Sequence, residues 1–185
     1  MIITREEAFI LIKKYLKEPD SIKFSLSVEA VLKELAKKLY GDKELWALAG
    51  LLHNLDYEYT AREPEKRGTL SAQLLEGLLP EEVINAIKAN NYTHTDYIPT
   101  TTLDKSLIAV NSICRLIFAT AETTDSKTIK EVDLDLLINK FKDSSFASTI
   151  NRSRIEICAD LGLEMDAFFE LSLETLKGIS EKIRI

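Results

Sequence analysis

Glycine and proline are scarce in this chain. Six glycines and four prolines in 185 residues leave few tight turns, which weighs against a sandwich or barrel. Plentiful Leu, Ile, Ala, Glu and Lys favour helices instead. Cysteine is scarce too: Cys114 and Cys158 both fall in apolar helical patterns, where a free thiol behaves as a small hydrophobe. A reducing compartment fits them better than a disulfide framework, and neither has a His or Asp nearby in sequence to make it a nucleophile. No apolar run reaches the roughly 18 residues of a membrane span, and Met1-Ile2-Ile3-Thr4-Arg5-Glu6-Glu7 carries charge where a secretory signal is apolar. The net charge of −6 is moderate, and no Lys/Arg stripe is present to neutralise a row of phosphates, so neither nucleic acid nor membrane is expected as a partner. Internal repeats, low-complexity tracts and linkers are absent. What is present is a 45% hydrophobic composition, enough for one core. The expectation is an all-α, single-domain, cytoplasmic protein spanning 1–185.

Thr4 and Glu7 make a capping-box pattern, and Ala8, Leu11, Ile12 and Tyr15 repeat at helical spacing until Pro19, which is expected to stop the run. From Phe24 to about Tyr40 one stripe carries Phe24, Val28, Val31, Leu32, Leu35 and Leu39, and Gly41 ends it. The segment 43–55 differs, because Leu45 through His53 is apolar on every side and such a helix has to be enclosed. A connection then leads to Pro64 and a helix expected through Leu78. Pro80-Glu81-Glu82 opens a short helix that Asn90-Asn91-Tyr92 closes. The polar stretch 93–102 reads as the longest loop. After it come a strong helix over about 103–121, another from near Asp133, one over about 149–160 stopped by Gly162, and a last over about 164–182.

Six pieces of sequence, in order, resemble one family. They are Ser25-Leu26-Ser27-Val28-Glu29-Ala30-Val31, then Asp42 to His53, then Leu55-Asp56-Tyr57-Glu58, Leu103-Asp104-Lys105-Ser106-Leu107, Phe141 to Ala147, and Leu161-Gly162-Leu163. Together they look like the HD-domain superfamily of metal-dependent phosphohydrolases, in its small stand-alone HDIG-type form, over about 24–176. The resemblance implies a helical bundle whose buried helix carries His followed by Asp, both binding a divalent metal such as Mn, Mg or Fe.

At the positions this resemblance marks, the chain departs from the pattern. Phe24 stands where the family has His, Asn54 follows His53 where the family has Asp, Arg67 and Asn90 stand at further His positions, and Asn111 replaces a later Asp. Of the four primary ligand positions only His53 keeps its type. A dication in a partly buried site needs anionic or imidazole ligands, so the set Phe24, His53, Asn54, Arg67, Asn90 and Asn111 reads as a vestigial pocket with no metal cofactor. Asp56 and Glu58 are the carboxylates that would assist water if the protein were active. His94 with Asp96 is the one pair that would rebuild a site around His53. Arg67 and Lys66, with Lys105 and Arg115, suggest a cleft that holds an anion by cationic contacts alone. The expectation is therefore a pseudoenzyme that binds a small anionic ligand or a protein partner. The alternative is an active metal-dependent phosphohydrolase with an altered ligand set, and a third reading is a structural homo-oligomer.

Overall fold

The computed structural model describes residues 2–183 and, among them, contains helices and no strand. Ten α-helices follow one another: α1 Arg5–Tyr15, α2 Pro19–Lys38, α3 Lys43–Leu52, α4 Thr69–Leu75, α5 Glu81–Ala89, α6 Tyr92–Thr95, α7 Thr102–Ala121, α8 Leu134–Lys142, α9 Arg152–Glu156 and α10 Met165–Ile183. Short 3₁₀ turns sit at Pro64–Lys66, Ile129–Glu131 and Ile157–Leu161. No helix among the described residues is long and apolar enough to cross a membrane.

One hydrophobic core joins these helices. α2 and α7, each 20 residues long, are its two beams, and α3 lies against α2 with every residue from Leu45 to Leu52 buried. The approach is close: a methyl group on Gly50 would lie 2.8 Å from the Cα and the backbone N of Glu29 and 2.8 Å from the Val28 carbonyl. Only a residue without Cβ lets the two backbones meet there. α10 packs against α2, α7 and α8 and buries Phe168, Phe169, Leu173 and Leu176.

The chain punctuation differs from expectation at five places, the first being that the stretch 93–102, expected as the longest loop, opens inside the short helix α6. Pro19 does not terminate α1; it occupies the first turn of α2, where its fixed φ and missing N–H suit a helix start. α3 ends at Leu52 rather than Leu55, with His53 as its C-cap. The helix expected from Pro64 to Leu78 is broken by Gly68 at φ +83°, leaving a 3₁₀ turn and the seven residues of α4. The helix expected over 149–160 begins only at Arg152 and tightens into 3₁₀ at Ile157. The thiols of Cys114 and Cys158 are buried and free, and burial pushes both up in pKa, away from thiolate chemistry.

Candidate functional site

A cleft of about 890 Å³ opens between the start of α2, the end of α3, the middle of α7 and the start of α9. Helical spacing explains α7's share: Asn111, Arg115, Phe118 and Glu122 recur every three or four residues and all face it. Phe24 comes from the early turns of α2, and His53 and Asn54 from the point where α3 stops. Arg67 follows the 3₁₀ turn before α4, and Asn90 caps α5. The six residues of the expected vestigial pocket thus share one cavity.

His53 is 1% exposed. Its Nδ1 lies 2.7 Å from the Gly50 carbonyl, which can only accept, so Nδ1 carries the proton and Nε2 is a bare acceptor. Nε2 is buried without a partner. Burial, reinforced by the charge of Arg115 and opposed by the Gly50 hydrogen bond, lowers this imidazole from the usual 6.5 to about 4, so it is neutral at pH 7. Asn54, also buried, follows it.

Three guanidiniums converge on the same space. Arg115 donates from Nε to Asn111 Oδ1 at 3.0 Å and lies 4.7 Å over the Phe24 ring and 5.7 Å over that of Tyr57. Arg67 stacks on Tyr57 at 4.4 Å, with Nε 3.4 Å from Thr60 Oγ1. Arg154 donates to Ser112 Oγ at 3.1 Å and to the Asn90 carbonyl and Oδ1 at 2.6 and 2.9 Å. Aromatic faces, amides and hydroxyls therefore hold these cations where carboxylates ordinarily would. None of the three forms an ion pair with a described residue. The carboxylates that border the cleft are already taken: Asp20 by Lys23 at 3.1 Å and Glu122 by Lys127 at 3.8 Å. Burial first, with Arg115's charge acting in the same sense, draws Arg67 and Arg154 below their usual pKa. They remain guanidinium ions; burial is the main cause of the shift, and for Arg67 the charge of Asp56 opposes it.

The other predicted residues lie elsewhere. Glu58 does not line the cleft; it holds the connection between α1 and α2, accepting from the backbone N–H of Lys17 and Glu18 at 3.0 Å. Asp56 is 1% exposed; its Oδ2 accepts from the N–H of Gly68 at 2.7 Å and of Ser71 at 3.0 Å, which ties the end of α3 to the start of α4. Burial raises its pKa. Lys105 sits outside the cleft, 3.2 Å from Asp160, and Lys66 pairs with Glu63 on the surface. His94 is exposed and hydrogen-bonds through Nδ1 with Thr93 and Asn91; neither it nor Asp96 lines the cleft, so the pair rebuilds no site around His53. Asp56, Glu58, Lys66 and Lys105 are each consumed by a turn, a connection or a surface ion pair.

Sequence reading missed Tyr57, Asn91, Arg152 and Arg154. Asn91 Nδ2 holds the Arg67 turn by donating to the carbonyls of Pro64 and Arg67. Arg152 donates to six backbone carbonyls, those of Lys140, Phe141, Asp143, Phe146, Ala147 and Ile150, and so builds the cleft wall that leads to Arg154. No local pattern marks such an arginine, since its partners are carbonyls that every residue possesses.

The family model for the HD domain matches residues 25–135, more than half of the chain, and the protein belongs to that family. No curated protein and no solved structure matches it. Phe24 precedes the matched segment by one residue, and Arg152, Arg154 and α10 lie beyond it. The donor set does not fit the divalent metal that the resemblance implies. Among the described residues no group of three or more His, Cys, Asp or Glu is placed to hold an ion, His53 Nε2 is the lone orphaned imidazole acceptor, and a guanidinium stands beside it where a dication would need negative charge.

Proposed function

We propose that this chain is an HD-domain protein without hydrolase chemistry whose cleft binds a small anion through Arg67, Arg115 and Arg154. One observation carries the reading: three half-buried guanidiniums meet in one cleft without a carboxylate partner, in a chain of net charge −6. Cations crowded in this way repel one another unless an anion joins them, and planar guanidiniums suit phosphate or carboxylate oxygens. Arg115 and Arg67 keep both of their Nη groups unengaged, so their donors face the cleft. They are also preorganised, because Tyr57 and Phe24 fix the planes on which they lie, which reduces the ordering entropy lost on binding.

The purified protein, soaked in Mn²⁺, Mg²⁺, Zn²⁺ or Fe²⁺ and desalted, is expected to retain less than stoichiometric metal and to show no turnover of a generic phosphomonoester. Inorganic phosphate and pyrophosphate are expected to raise its melting temperature in the usual mass-action manner, and Arg67→Ala and Arg115→Ala should each abolish the rise. Stoichiometric metal with turnover would overturn this reading in favour of an active phosphohydrolase.

A further inference from the structure

An anion accounts for the guanidiniums and leaves the floor of the cleft unexplained. Asn54 is 2% exposed, lines the cleft, and its side-chain amide makes no hydrogen bond to any described residue. Next to it, His53 has committed Nδ1 to its own helix, so the unpartnered Nε2 is on the opposite ring edge. A buried imidazole nitrogen normally finds a partner, because an unpaired polar group has lost its hydration and gained nothing; the Asn54 amide keeps what little surface it has open to the cleft. Both side chains are neutral and add nothing to the attraction for an anion. What they offer is directional: an acceptor on the imidazole, and a donor and an acceptor on the amide.

Resting on the anion-binding reading above, we propose that His53 and Asn54 recognise the uncharged part of the ligand, which is a small anion that also carries a hydroxyl or N–H group. A hydroxylated phosphate or carboxylate meets this description; a bare inorganic or alkyl anion does not. The two halves of the site are adjacent, for the Phe24 ring lies 6.1 Å from the His53 ring and 4.7 Å beneath the Arg115 guanidinium. The hydroxyl that reaches the floor therefore lies close to the anionic group on the ligand. A cleft of about 890 Å³ has room for a molecule of that size.

The test is calorimetry on the full chain at fixed low salt, with propyl, butyl and pentyl phosphates set against hydroxylated phosphates of the same chain lengths, from glycerol phosphates to pentitol and pentose phosphates. At least one hydroxylated probe is expected to bind about tenfold more tightly than its alkyl counterpart. Asn54→Ala should erase that preference and leave alkyl phosphate binding within about twofold of the parent. In the unaltered protein the His53 Nε2 nitrogen resonance, one of two histidines to assign, should shift with the hydroxylated probe and stay put with the alkyl one. Equal binding across every pair would overturn the proposal while leaving the anion site standing. So would a preference that survives Asn54→Ala with an unmoved His53 resonance. Binding by none of the probes, or binding undiminished in Arg67→Ala and Arg115→Ala, would overturn the anion reading and this proposal with it.

Discussion

The floor and the wall of the cleft are built by different physics. The floor comes from α2, α3 and α7, where side chains are placed by helical repeat and held by close packing. His53, Asn54 and Asn111 sit there because apolar neighbours leave them no alternative. The wall, from the residues before Arg67 and from 143–154, is largely irregular backbone. It is shaped by side chains that donate to carbonyls, Arg152 above all and Asn91 at the other edge. A packed floor fixes position through volume exclusion, whereas a wall of this kind is only as fixed as the donor that gathers it. The neutral groups lie on the floor, and two of the three cations, Arg67 and Arg154, come from the wall.

The sharpest way to break the floor is Gly50→Ala. The added methyl would collide with Glu29 backbone and the Val28 carbonyl, neither of which can turn aside, and the loss is expected to reach about 3 kcal/mol in urea unfolding. A position away from the floor with open space around it should tolerate the same change: Gly162, although at φ +72°, has nothing within 4 Å of where the new methyl would stand, so only its backbone strain of about 1 kcal/mol is expected there.

Acid tests the floor a second way. His53 titrates near 4 in the folded protein and near 6.5 unfolded, so between those values the unfolded chain binds more protons and stability falls as pH falls. The loss through that window is about 3 kcal/mol, and His53→Gln should remove it. Asp56 acts in the opposite sense, because burial raises its carboxyl above 3.8 and protonating it favours the folded state. Asp56→Asn should therefore steepen the net loss on acidification, and chemical denaturation at stepped pH measures both.

For the wall, Arg152→Ala orphans carbonyls that surrounding water can partly satisfy, so about 2 kcal/mol is expected. Its signature is local: faster amide exchange confined to 143–151 with the α2–α3 amides unchanged. Exchange that quickens equally in both places would erase the distinction between floor and wall. Smallest is Glu58→Ala, which removes the carboxylate that holds the N–H groups of Lys17 and Glu18 ahead of α2 and should cost about 1 kcal/mol without affecting phosphate binding.

Much of the floor is legible in the sequence because it is periodic. The stripes of α2 and α7 and the uniformly apolar α3 place Phe24, His53, Asn54 and Asn111 on inward faces, and the capping residues Thr4 and Asp133 mark helix starts that the structure keeps. Pro19 misleads because the same residue type both ends one helix and begins the next. Gly68 gives no warning because a positive φ leaves no trace in hydrophobic pattern. Lys105 and Glu58 look as suitable as Arg115 for a site, since charge and position in sequence do not say which way a helix face turns.

The sequence by itself determined an all-α fold, an enclosed His53 and the presence of amides, Asn54 and Asn111, at two positions that the HD-domain resemblance marks. These follow from local periodicity and residue type. Only the tertiary structure decided that Arg67, Arg115 and Arg154, from three separate segments, meet in one cleft, while Asp56, Glu58 and Lys105 are absorbed by a turn, the α1–α2 connection and an ion pair. Convergence of charges depends on distances between elements far apart in the chain, and no spacing along the sequence encodes those.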